Sequence, residues 1–186
     1  MTSDRIALFT VSLAVLLCPS CKKNKMRNDM NRFYSQTVSF PASMPCFEGE
    51  KIKFLDLKDN RSKIVIWYDS SECSSCRINN LPVFKEFESY CQNLQYSFDI
   101  VFLFSPSHKS LVEVLEEASY STKLHDYPIF IDTANQFYKL NPHIPDNKLM
   151  HSFLLDSEGK VVLVGNPIQN QAMFDLYKKT IEEMIN

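Results

Sequence analysis

Apolar positions recur along this chain in two rhythms, and the change from one to the other marks out its elements. Ile64 to Tyr68 is a continuous apolar run, and Ser97 to Phe104 contains a second one, closed by Pro106. Runs of that length predict central strands buried on both faces. Lys51–Leu57 alternates imperfectly and predicts a further strand, and Val38–Phe40, just ahead of Pro41, a short edge strand. Gly49-Glu50 and Asp59–Ser62 supply turns. Strands are also expected at Tyr127–Ile131, His151–Asp156 and Val161–Val164, the last two joined by a turn at Ser157–Lys160.

Helical spacing fills the gaps. Ile78, Leu81, Phe84 and Phe87 predict a helix from Cys73 to about Cys91, kinked where Pro82 removes a backbone hydrogen bond. Leu111, Val114, Leu115 and Ala118 mark a helix over 110–120, Thr133–Leu140 a short one, and 141–147 a proline-marked loop. Gln169–Ile185 closes the chain as an amphipathic helix. The order β-β-β-α-β-α-β-α-β-β-α predicts an α/β domain, a central mixed sheet flanked by helices with an N-terminal β-hairpin extension.

The first twenty residues break this rhythm. Ile6 to Leu17 is apolar apart from Thr10 and Ser12, too short to span a bilayer but suited to a signal-peptide core. Ser20 directly before Cys21 resembles a bacterial lipoprotein processing site, in which Cys21 would become the lipidated N-terminus. Ordinary cleavage and an uncleaved anchor are the alternatives. All three place the folded part outside the cytoplasm, in the bacterial cell envelope, where disulfide chemistry operates. Lys22 to Asn31 is polar and basic with no apolar period. The expected organisation is therefore a signal peptide over 1–20, a tether over 21–37 and one domain over 38–186.

Composition narrows the function. With 45% hydrophobic residues among 186, the chain can bury a core without disulfide staples. A formal charge of −2 and no basic stripe argue against nucleic acid. Three glycines exclude glycine-rich phosphate loops, and six cysteines are too few for a disulfide scaffold. Each cysteine therefore needs its own account.

Cys73 and Cys76 follow the first apolar run across a polar turn and open a helix. Two thiols three residues apart can close a small disulfide ring, and the free amides at a helix start favour a thiolate at the first. A strand, C-x-x-C and helix in that order read as a redox motif. Cys73 is the candidate nucleophile. Cys76, one turn in and expected to be partly buried, would resolve the mixed disulfide. Glu72 and Asp69 are candidate proton relays, with solvated turn acids as the alternative. Cys91 is expected on the same helix about 22 Å from Cys76, as a buried core thiol. Cys46 is expected in a loop, as a third redox thiol or a partner of Cys91. Trp67 reads as core, and His108, His125 and His143 show no ligand-like spacing. No cofactor or metal is called for beyond the redox-active disulfide.

The chain resembles the thioredoxin-like, membrane-tethered thiol-disulfide oxidoreductases of the TlpA/ResA type. The resemblance rests on Gly49–Leu57 as the extra hairpin, Ile64–Arg77 as active-site strand and C-x-x-C, and Phe153–Val162 as the "FLID-x-x-G-x-V" hairpin. It implies a thioredoxin-like fold and exchange with exported protein disulfides and thiols. It also implies a membrane thiol donor protein as partner and a lipid anchor in the membrane. Three departures stand out. Glu72 replaces the usual Trp before Cys73, where its charge would raise the thiol pKa. Met150 or His151 occupies the cis-proline position, and a trans bond is expected because a non-proline cis bond costs ~3 kcal/mol. Pro82 falls one residue later than usual. Met150 and His151 also open alternatives: with the two cysteines they could form a soft Cu(I) site, although a surface His beside a core Met is the commoner arrangement. A non-catalytic interaction domain is the other alternative.

Overall fold

The two continuous apolar runs lie side by side at the centre of a seven-stranded mixed sheet. The computed structural model describes residues 18–48, 51–94, 98–107, 109, 113, 114, 116 and 128–185. Its strands are β1 (Met44–Glu48), β2 (Lys51–Leu55), β3 (Lys63–Tyr68), β4 (Asp99–Phe104), β5 (Ile129–Ile131), β6 (Ser152–Leu155) and β7 (Val161–Val164). Its helices are α1 (Cys18–Phe33), α2 (Ser74–Asn79), α3 (Lys85–Gln92), α4 (Gln136–Leu140) and α5 (Gln171–Ile185). The sheet order is β2-β1-β5-β4-β3-β6-β7. β3, β4 and β5 run parallel, and every other neighbouring pair is antiparallel.

Alternation along the strands sends side chains to two cores. Val65, Trp67, Val101, Leu103, Phe130 and Phe153 join one cluster, which Phe33 and Val38 cap. Ile64, Ile66, Phe102, Phe104, Ile129 and Leu154 join the other, beneath Phe84, Phe87, Tyr177 and Ile181 of the helices. A strand buried on both faces needs apolar residues at every position, so β3 and β4 read as unbroken runs. β2, at the sheet edge, is exposed along its whole length.

Several expectations need correcting. Val38–Phe40 is not a strand. Asn141, fully buried, accepts from the Ser39 amide (2.8 Å) and donates to the Ser39 carbonyl (2.8 Å), while only Thr37 bridges to Lys160. The first strand is β1 instead, and Cys46 lies buried in it rather than in a loop. Pro45 hid this strand: it sits ahead of Cys46 and Phe47, the two residues that pair with β5, at a strand end where proline is tolerated. Residues expected to be a tether form α1, and Phe33 at its end is fully buried. The packed part therefore starts before residue 38.

The helix expected from Cys73 to Cys91 is three pieces: α2, a 3-10 turn at Leu81–Phe84 with Pro82 near its start, and α3. Proline broke the helix rather than kinking it. The segment 1–17, the Gly49-Glu50 turn, His108, His125 and the Cys21 side chain lie outside the described residues. So does most of the 110–120 helix, of which Glu113, Val114 and Glu116 are described and helical. Among the described residues no helix is long and apolar enough to cross a membrane.

Candidate active site

β3 ends at Tyr68, and the chain turns through Asp69–Glu72 to reach α2. Asp69 shapes that turn: one carboxylate oxygen accepts from the Ser71 amide (2.8 Å) and hydroxyl (2.5 Å), and its carbonyl accepts from the Glu72 amide (3.1 Å). Such side-chain-to-backbone bonds let Asp set a turn by itself. Cys73 is then the N-cap of α2, its Sγ accepting from the Cys76 amide at 3.3 Å. Cys73 and Cys76 are joined in a disulfide with Cα atoms 5.3 Å apart. Both residues are exposed, so the expectation that Cys76 is partly buried is corrected; Ser74 is the buried residue of this turn.

The sequence expectation for Glu72 also changes. Its carboxylate accepts from Arg77 at 2.7 Å, with the Glu72 side chain only 7% exposed, and the Arg77 guanidinium lies 5.5 Å from the centre of the Tyr68 ring. The positive partner offsets the carboxylate's effect on a thiolate at Cys73. Burial pushes the Tyr68 hydroxyl up to about 12, with Arg77 working against it and Glu72 with it.

Facing the turn is the segment that stands at the cis-proline position. No cis peptide bond occurs among the described residues, and Met150–His151 is trans. Asn147 caps a 3-10 turn at Lys148–Met150, and the His151 carbonyl accepts from the Trp67 amide at 2.9 Å. Met150 is packed into the core. His151 is buried too, at 3% exposure, not on the surface as expected. Its ring lies 4.3 Å from the Trp67 ring. Nε2 is 3.0 Å from the Pro145 carbonyl, and Nδ1 is 3.6 Å from the free oxygen of Asp69.

Burial pushes the imidazole below its ordinary value, against the Pro145 carbonyl and the Asp69 and Glu72 carboxylates. For Asp69, burial acts upward, but the Ser71 hydroxyl and amide outweigh it, helped by the His151 and Lys148 charges. The carboxyl is held below its ordinary value. Trp67, Asp69, Ser71 and His151 line a pocket of about 170 Å3 together with Tyr138 and Asp146. A groove of about 860 Å3 between α1 and the 142–147 loop is larger, but no cysteine lines it.

The structure thus gathers Asp69, Glu72, Cys73 and Cys76 in one turn and sets His151 against it. It separates the other two described cysteines with side chains in view. Cys46 and Cys91 are buried on opposite faces of the sheet and neither is in a disulfide, so they cannot pair. Burial, then Glu88, pushes the Cys91 thiol up to about 12. No group of three or more His, Cys, Asp or Glu able to hold a metal occurs among the described residues.

Sequence reasoning missed Arg77, Tyr138 and Asp146. The Glu72/Arg77 charges flanking the cysteines were a usable signal for the first. Tyr138 and Asp146 reach the site only through the fold. Asp132, buried, accepts from the Gln136 and Phe137 amides and fixes the start of α4, which carries Tyr138.

No family model matches the sequence, and no curated protein matches it. Solved structures do. A candidate protein disulfide isomerase from Bacteroides thetaiotaomicron matches with a TM-score of 0.52 and 21% identity, over 81% of this chain and 89% of that one. A thiol-disulfide oxidoreductase from Bacteroides fragilis matches with a TM-score of 0.52 and 14% identity, over 78% of this chain and 99% of that one. A PrxQ mutant from Xylella fastidiosa also matches, with a TM-score of 0.51 and 13% identity, over 81% of this chain and 96% of that one. Likeness at these identities carries the fold, and the fold agrees with the element order, the mixed sheet and the strand-turn-helix placement of Cys73 and Cys76. The chain has a thioredoxin-like fold, shared with the thiol-disulfide oxidoreductases among these structures.

Proposed function

We propose that this protein is a thiol-disulfide oxidoreductase that exchanges disulfides with exported proteins through Cys73 and Cys76. The observation that carries this reading is an exposed Cys73–Cys76 disulfide capping a helix at the end of the central strand of a thioredoxin-like fold. In the reducing direction the Cys73 thiolate attacks a substrate disulfide, forming a mixed disulfide and releasing one substrate thiolate. Cys76, deprotonated, then attacks Cys73 Sγ, releasing the second substrate thiolate and leaving the pair oxidised. Two electrons pass from the pair to the substrate, and a membrane thiol donor protein returns them. The released thiolates take up protons from solvent.

Asp69 and Glu72 are the proposed proton acceptors for Cys76. The Arg77 ion pair occupies Glu72, which makes Asp69 the freer of the two. The apolar stretch 6–17 followed by Ser20-Cys21 supports placement in the bacterial cell envelope with Cys21 lipidated.

Equilibration with glutathione and thioredoxin-type buffers tests the reading. A reversible two-electron couple at roughly −120 to −270 mV, lost in Cys73→Ser, is the expected result. A pair that stays oxidised in every buffer is a structural disulfide and overturns it.

A further inference from the structure

The pocket beside the active-site turn holds a polar mismatch that the exchange reaction does not use. A backbone carbonyl only accepts, so the 3.0 Å contact with Pro145 requires His151 Nε2 to carry the proton. In the neutral ring Nδ1 is then a bare acceptor, buried without a hydrogen-bond partner. The nearest charged group, 3.6 Å away, is the free oxygen of the Asp69 carboxylate, another acceptor. A buried acceptor facing a half-buried one calls for a donor between them, and an unmet buried polar atom such as His151 Nδ1 carries a free-energy cost.

The remaining lining narrows the donor's chemistry. Asp146 adds a second carboxylate, and Trp67 and Tyr138 form aromatic walls, their rings stacked at 6.1 Å. Two carboxylates, a bare imidazole nitrogen and aromatic faces suit a cation with several N–H groups, above all a planar guanidinium. The other charges nearby leave this intact. Glu72 is paired with Arg77, and Lys148, which acts on both Asp69 and His151, is exposed and does not line the pocket. The pocket includes Ser71, two residues before Cys73, so a peptide with its cysteine at Cys73 can place a neighbouring side chain there.

We propose that this pocket is a specificity subsite that takes an arginine or lysine side chain lying within a few residues of the substrate's cysteine, bridged between His151 Nδ1 and Asp69. The inference rests on the thiol-exchange reading for its substrate but not for its binding chemistry. Trp67 is the chain's single tryptophan and lines the pocket, so its fluorescence reports occupancy without any turnover.

The test titrates the full-length oxidised protein with cysteine-free acetyl-Gly-Arg-Gly-amide. The citrulline and glutamate analogues serve as controls, because citrulline keeps the shape and loses the charge. A saturable change with arginine, absent with both controls, is expected. Asp69→Asn or Asp146→Asn should weaken it about fivefold to tenfold, the loss of a charge-assisted contact. Asp146 is exposed, so its variant tests the site even if Asp69→Asn perturbs the turn. Binding should also strengthen as pH rises through the His151 titration, because a protonated Nδ1 donates and repels a cation. Equal binding of citrulline, no saturation with arginine, or affinity unmoved by Asp146→Asn would overturn the subsite. None of those outcomes touches thiol exchange, and a dead disulfide would leave arginine binding intact.

Discussion

Four described cysteines with visible surroundings divide into two pairs that share a residue type and nothing else. Cys73 and Cys76 are exposed in a turn built from polar contacts, at the start of a helix, with a cation and two carboxylates close by. Cys46 and Cys91 are sealed in opposite cores, and burial pushes the Cys91 thiol up to about 12. A thiol reacts as its thiolate, so surroundings decide whether cysteine is a nucleophile or a small hydrophobe.

The sharpest way to break this contrast is Cys73→Ser. Disulfide reduction followed by insulin turbidity should fall to the uncatalysed background, and retained activity would mean the exposed pair is not the active one. Cys76→Ser should keep the attack but lose the resolving step. A substrate-linked mixed disulfide at Cys73 should then accumulate towards stoichiometry, read by intact-protein mass spectrometry under non-reducing conditions.

The buried pair should respond in stability rather than chemistry. Cys91→Ala leaves a small cavity beside Phe87 and should cost about 1–2 kcal/mol in urea unfolding. The reduction potential of Cys73–Cys76 should not move. A shifted potential would show that the two pairs are coupled.

Acid should weaken the site before the cores. The His151 imidazole is depressed below 6.5, so the unfolded chain binds that proton more readily. Stability is whole above about 6.5 and is lost as pH falls from there through the folded value. Asp69, held below 3.8, adds a second loss at lower pH by the same sign. A stability curve flat from neutrality down to the carboxylate range would count against the buried neutral histidine.

The smallest effect concerns the Glu72–Arg77 pair. Glu72→Gln frees Arg77 and removes a carboxylate beside the thiol, so the Cys73 pKa should drop by roughly half a unit to one unit. The pH dependence of iodoacetamide alkylation of the reduced protein measures it. An unchanged pKa would show that neither charge of the pair acts on the Cys73 thiol.

The elements and the C-x-x-C pair were legible in the chain because they are local. A strand buried on both faces must be apolar throughout, as in Ile64–Tyr68, and a C-x-x-C is contiguous by nature. Pro82 was read correctly as a disturbance, though the whole helix gave way there. β1 escaped because Pro45 lowers strand propensity without forbidding a strand end. What only the tertiary structure decided lies between segments distant in sequence. The facing strands carry Trp67 and Asp69 to His151, and α4 brings Tyr138 to the same wall. That packing buries an imidazole expected at the surface and leaves its Nδ1 without a partner. It also separates Cys46 from Cys91. No local pattern encodes such facts, because burial depends on what the rest of the chain lays on top.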